Sequence, residues 1–120
     1  MNKKTLVVGA SENPERYSYK AINKLVKYGH KTIGLGLRAG ETAGVKFITT
    51  QEEINDLDSI SLYVSSKNQE TYKKYLIELK PNRVIFNPGT ENPEFYPQLE
   101  NAGIEVVEAC TLVMLSIGNY

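Results

Sequence analysis

One stretch of this sequence is well suited to hold an anion. It is Gly9-Ala10-Ser11-Glu12-Asn13-Pro14-Glu15-Arg16-Tyr17-Ser18, directly after the apolar run Thr5-Leu6-Val7-Val8. A glycine after a buried strand lets a phosphate come close to the main chain. A helix following that turn offers free N–H groups and the positive end of its dipole. Ser11 adds a hydroxyl donor and Arg16 a charge within reach. Gly9 alone would read as a tight turn; Gly9, Ser11 and Arg16 together, between a strand and a helix, favour an anion site.

The loop is not a dinucleotide fingerprint, because Ser11 and Pro14 stand where the second and third glycines of G-x-G-x-x-G belong. After the second apolar run comes Gly36-Leu37-Arg38 rather than an acidic residue that would hold a ribose diol. A basic residue there suits an extra phosphate on the ribose, as in NADP or coenzyme A, and suits a solvated loop charge equally well. Other chemistry is short of parts. The single cysteine, Cys110, can form no internal disulfide, and no four-ligand zinc site can be built around it. It reads as a small buried residue, with a redox-active thiol as the functional alternative. The one histidine, His30, falls between a helix and a strand, at the end of the sheet away from the loop above. The carboxylates are scattered, and Glu12, Glu15, Glu91 and Glu108, nearest the expected cleft, read as solvated charges. No catalytic residue is assigned.

These groups need a frame to position them. The 120 residues match the length of one domain, expected over 1–120. Fourteen basic residues balance fourteen acidic ones, and a dedicated nucleic-acid binder should carry a basic excess. No uncharged run approaches the roughly 20 residues of a membrane span, and no secretion signal is legible, so a cytoplasmic setting is expected. Short apolar runs at 5–8, 32–37, 59–65, 83–86 and 104–107 read as strands, with a minor strand at Val45 to Ile48. Helix-period segments lie between them. Ser18 reads as the N-cap of the first helix, and Gly29 as its stop. Thr50-Gln51-Glu52-Glu53 and Ser66-Lys67-Asn68-Gln69 read as capping boxes opening two more helices. Asn92-Pro93 starts a fourth, and Leu112 to Ile117 a closing turn.

Strands separated by helices require crossovers, which predicts an α/β, Rossmann-like α/β/α architecture with a five-stranded, mostly parallel sheet. Ligands of such sheets bind beyond the strand carboxyl ends, where the strand order reverses. The residues there are Gly9-Ala10-Ser11, Leu37-Arg38, Ser65-Ser66, Asn87-Pro88-Gly89 and Ala109-Cys110.

The first loop resembles the G-x-S-x-x-P-x-R-x-S loop of small stand-alone CoA-binding proteins. These are similar to the N-terminal CoA-binding domain of the succinyl-CoA synthetase α subunit. The likeness continues through Leu37-Arg38-Ala39-Gly40-Glu41, Asn87-Pro88-Gly89 and Ala109-Cys110. It implies a CoA-binding site in which Gly9, Ala10 and Ser11 meet the pyrophosphate, with Pro14, Arg16 and Ser18 in the same loop. Leu37 and Arg38 would border the adenosine, Arg38 facing its 3′-phosphate, and Val64 and Ser65 would flank the nucleotide. Two departures stand out: Gly36 and Leu37 replace the Asn-Pro common after the second strand, and Thr111 replaces the proline that often follows the cysteine. The expected function is non-catalytic binding of coenzyme A or an acyl-CoA. The alternatives are an NADP-binding redox protein or regulator, and an interaction domain with a degenerate nucleotide site. The expected partner is a small nucleotide ligand, with neither nucleic acid nor membrane; the tyrosine-rich surface would also suit a homodimer.

Overall fold

The computed structural model describes residues 2–120. The strands are β1 (Thr5–Val8), β2 (Thr32–Leu35), β3 (Glu41–Thr42), β4 (Val45–Ile48), β5 (Ser59–Leu62), β6 (Arg83–Phe86) and β7 (Glu105–Glu108). The helices are α1 (Tyr17–Lys27), α2 (Lys73–Glu78), α3 (Tyr96–Asn101) and α4 (Thr111–Ser116), with a 3-10 turn at Ser66–Gln69. The sheet runs β3-β4-β2-β1-β5-β6-β7. Every pairing is parallel except that of β3 with β4. The mostly parallel α/β architecture agrees with the sequence reading, but the sheet has seven strands rather than five. Val45–Ile48 is a full member, pairing with β2, and the Ala43-Gly44 turn folds β3 back on it. Both turn residues have positive φ, so the turn chemistry follows the backbone twist that tight hairpins need.

Alternation along each strand divides the interior. Leu6, Val8, Ile60, Leu62, Val84 and Phe86 face α2 and α3, packing on Tyr75, Leu76, Phe95 and Leu99. Val7 faces the opposite side, with Ile22 and Leu25 of α1 and Leu115 of α4. Successive strand side chains point to opposite faces, so a short strand covered by helices on both sides is apolar throughout. β5 instead reads Ser-Ile-Ser-Leu, all buried, and its two serines need polar partners.

Four local expectations are corrected. Residues 49–58 contain no helix. Glu52 donates its N–H to Thr50 O, while Gln51 Nε2 donates to Thr71 O and the Tyr75 hydroxyl to Glu52 O. These contacts pin the segment in an irregular path, and Asp56 at φ 58° breaks any helical run. The Ser66 box yields only the 3-10 turn, because Gln69 turns into the protein instead of back to its cap. Ser18 is not the N-cap of α1. Arg16 holds that position, and Ser18 lies one residue inside the helix, buried. Asn92-Pro93 forms a turn before α3 rather than its first residues. Gly29 and Gly103 do stop their helices at positive φ.

Candidate nucleotide-binding site

The chain leaves β1 toward β2 on one side of the sheet and later returns to place β5 on the other side of β1. The order therefore reverses at β1 and β5, which puts the crevice beyond their carboxyl ends. Gly9 opens this crevice at φ 93°, a conformation that L side chains rarely adopt. Its N–H and that of Ala10 both donate to Leu35 O, at 2.9 Å each. A Cβ on Gly9 would meet Tyr63 O at 3.2 Å. Gly9 is thus needed by the turn itself and by the approach of β5.

Beyond Gly9 the loop is self-supported but open. Ser11 Oγ accepts the Asn13 N–H at 3.0 Å, and Asn13 Oδ1 accepts that of Glu15 at 3.0 Å. The Ser11 and Glu12 N–H groups find no acceptor among the described residues. The N-terminus of α1 carries no side-chain cap and no acidic residue in its first turn. Unfilled donors and an uncapped helix start thus lie along one loop, an arrangement that favours an anion. Pro14, Arg16 and Tyr17 are exposed around it, and Ser18 faces the interior.

The neighbouring loop projects from β2. Gly36 N–H donates to Ile48 O at 3.0 Å, and Phe47 N–H donates to Gly40 O at 2.8 Å. Leu37 and Arg38 stand between these two ties; both are exposed, and Leu37 retains 92% of its accessible surface. Gly34 in β2 and Gly36 just beyond it, residues that weaken a strand by propensity, serve close packing. A Cβ on Gly34 would sit 2.9 Å from the Phe47 ring and 3.1 Å from Ala10 Cβ. One on Gly36 would sit 3.1 Å from Ala10 O. The first loop lies directly against the second.

On the other side of the crevice, the residues expected from the sequence divide. Val64 offers its carbonyl to Gln69 Nε2, and Ser65 Oγ accepts from Asn68. Asn87 is 1% exposed, and its amide is fully engaged. Nδ2 donates to Ser61 Oγ and Leu62 O, each at 3.0 Å, and Oδ1 accepts the Thr111 N–H at 2.8 Å. Ser61 and Thr111 hydroxyls pair at 2.8 Å. Pro88 and Gly89 are exposed, with Gly89 at φ 93°. Beside them Gln69 donates to Thr90 O at 2.7 Å and accepts from Asn92 Nδ2 at 2.9 Å. This buried network ties the strand ends of β5 and β6 to α4. Cys110, half-buried, precedes α4 at the same end. The sequence reading missed Gln69 and Asn92 as buried partners, because polar residues at helix starts look like caps. The Tyr63 hydroxyl is buried and has no hydrogen-bond partner among the described residues. Burial pushes its pKa up to about 12.

Two other regions lie at the opposite end of the sheet. An open concavity is lined by Glu53, Asp56, Asp58 and Glu78, with Lys80. Its acidic lining repels a diphosphate. His30 belongs to a second cluster, where its Nδ1 accepts the Lys3 N–H at 2.9 Å and its ring lies 5.0 Å from that of Tyr120. Arg83 stacks on the same Tyr120 ring and donates to Tyr120 O at 2.8 Å. Burial lowers the pKa of His30 below its ordinary 6.5, and the Lys3 and Arg83 charges add to that. Among the described residues no group of three His, Cys, Asp or Glu side chains is placed to hold a metal ion. No helix among them is long and apolar enough to cross a membrane.

Comparison with known families decides what this arrangement belongs to. A family model described as CoA binding domain matches residues 3–116. The chain belongs to the CoA-binding domain family. A crystal structure of an uncharacterized protein is 44% identical, with a TM-score of 0.97, covering 100% of this chain and 99% of that one. A conserved hypothetical protein from Pyrococcus furiosus is 29% identical, with a TM-score of 0.76, covering 88% of this chain and 91% of that one. A hypothetical protein from Pyrococcus horikoshii shares the fold at 24% identity, with a TM-score of 0.86, covering 96% of this chain and 82% of that one. No curated protein matches the chain. The donor set of this CoA-binding domain fits a phosphorylated nucleotide: unfilled main-chain donors at the crevice, exposed Arg16 and Arg38, and an apolar Leu37 beside them.

Proposed function

We propose that this protein binds coenzyme A or an acyl-CoA without catalysing a reaction on it. The observation that carries this reading is the open donor array at the switch point. The Ser11 and Glu12 N–H groups, without an acceptor among the described residues, and the uncapped first turn of α1 both belong to the segment that leaves the carboxyl end of β1. Gly9, Ala10 and Ser11 border the pyrophosphate, Gly9 and Ala10 by letting it come close to the main chain and Ser11, with the Glu12 N–H, by donating to it; Arg16 adds charge from the rim. Arg38, on the loop held to β4 at both ends, takes the 3′-phosphate, and the exposed Leu37 covers one face of the adenine. Val64, Ser65, Pro88 and Gly89 border the crevice on its β5 and β6 side. Asn87 acts beneath them by fixing the strand ends rather than by touching ligand. Coenzyme A carries acyl groups as thioesters, and this chain's part is to bind and orient that carrier in a cytoplasmic setting.

Titration calorimetry with coenzyme A, dephospho-coenzyme A and NADP tests the reading. Wild-type protein should bind coenzyme A and not NADP. Arg38→Ala should weaken coenzyme A about tenfold or more, the worth of a charge-assisted contact, and leave dephospho-coenzyme A unchanged. NADP binding in place of coenzyme A would give Arg38 to a 2′-phosphate. No heat with either ligand would mean that the site is degenerate.

A further inference from the structure

The first loop carries a carboxylate, Glu12, that the site described above does not use. A negative side chain in a diphosphate-binding loop works against its ligand by like-charge repulsion. In this fold it is turned aside into the second loop. Glu12 Oε2 accepts the Glu41 N–H at 2.9 Å. The side chain fills the space that Gly40 leaves open: a Cβ there would stand 2.8 Å from Glu12 Cδ and 2.9 Å from Cγ. One residue on, Thr42 Oγ1 donates to Ser11 O at 3.2 Å. The receiving segment is itself immobilised, since Gly36 and Gly40 are each tied to β4 and Glu41 pairs with Lys46.

We propose that Glu12 is a positioning residue that locks the loop holding the diphosphate to the loop bearing Arg38. The inference rests on the function proposed above. A ligand with phosphates at both ends of its nucleotide half needs two anion contacts at a fixed separation. Gly9–Ser11 supplies one and Arg38 the other, and these lie on different crossovers. The second loop is already held to β4, but without a cross-tie the first loop would shift against it, and the ligand would have to fix their separation at an entropic cost. Glu12, with Gly40 cut away to receive it, supplies the tie before the ligand arrives.

The readout is the ratio of the dissociation constants of dephospho-coenzyme A and coenzyme A, which reports the Arg38 contact alone. Glu12→Ala should lower that ratio about three- to tenfold, the net worth of one hydrogen bond. Glu12→Gln keeps an oxygen to accept the Glu41 N–H and should retain the ratio. Gly40→Ala should lower the ratio in the wild-type background by pushing the carboxylate out. In the Glu12→Ala background it should do nothing, since the clash is gone. An unchanged ratio in Glu12→Ala would overturn the proposal, as would an equal effect of Gly40→Ala in both backgrounds. Amide hydrogen exchange at Glu41 reads the tie without any ligand. It should be slow in wild type and Glu12→Gln, and fast in Glu12→Ala and Gly40→Ala. Equal rates in wild type and Glu12→Ala also overturn the proposal. Wild-type protein that binds no coenzyme A, with the Glu41 amide still protected, would refute the proposed function and leave the tie standing.

Discussion

Replacing Asn87 with alanine tests whether the far wall of the crevice is built as described. The side chain is 1% exposed and serves three partners at once. Ser61 Oγ would keep its bond to Thr111 Oγ1. Leu62 O and the Thr111 N–H would lose the Asn87 amide, and both lie where water does not reach without disturbing α4. Each of the two stranded buried groups costs about 1–3 kcal/mol, so Asn87→Ala should destabilise by about 2–6 kcal/mol. For a chain of this size that is a fall in Tm of about 8–24 °C. Urea and thermal unfolding followed by circular dichroism measure it directly. Asn87→Asp sharpens the test: its carboxylate still accepts from Thr111 N–H but faces Leu62 O and Ser61 Oγ without a proton. A buried acid gains a donor when protonated, so the Asp variant should recover stability as the pH falls. A loss below about 1 kcal/mol in Asn87→Ala would refute the network as the anchor of these strand ends.

Two further outcomes follow from the same geometry. Tyr63→Phe removes a buried hydroxyl without a hydrogen-bond partner, so unfolding should show no loss and a gain of up to about 1 kcal/mol; a loss of that size would reveal a bond to the neighbouring Ser61 or Thr111. His30 has a depressed pKa, so the unfolded chain binds the proton more readily than the folded one. Its contribution is complete above pH 6.5 and is lost as the pH falls below that value. Tm should drop from pH 7 to pH 5, with a smaller drop in His30→Asn; equal slopes would exclude His30.

The strand positions were legible because their cause is local. A short apolar run between helix-period segments can be buried only inside a covered sheet, and Thr5–Val8 and Arg83–Phe86 need nothing more. The Gly9 loop stood out for the same reason: glycine, serine and arginine between a strand and a helix are a local arrangement. Propensity misjudged residues whose partners lie far along the chain. Gly34 and Gly36 looked like weaknesses in a strand, yet they seat Ala10 and Phe47. Thr50-Gln51-Glu52-Glu53 looked like the start of a helix and Gln69 like a capping residue, yet Glu52 O accepts from Tyr75 and Gln69 is buried between Val64 and Thr90. The edge hairpin that widens the sheet to seven strands depends on Val45–Ile48 finding β2 across the sheet.

By itself, then, the sequence determined the alternation of strands and helices and the charge of the groups in the loops that follow β1 and β2. Tertiary structure alone decided which polar side chains turn inward and which stay at the surface. Asn87 and Ser18 went inward, and Glu12 was folded onto Gly40. The reason is physical: a side chain's propensity is set by its own few neighbours in sequence, whereas its hydrogen-bond partner is chosen by packing between strands that only the fold brings together.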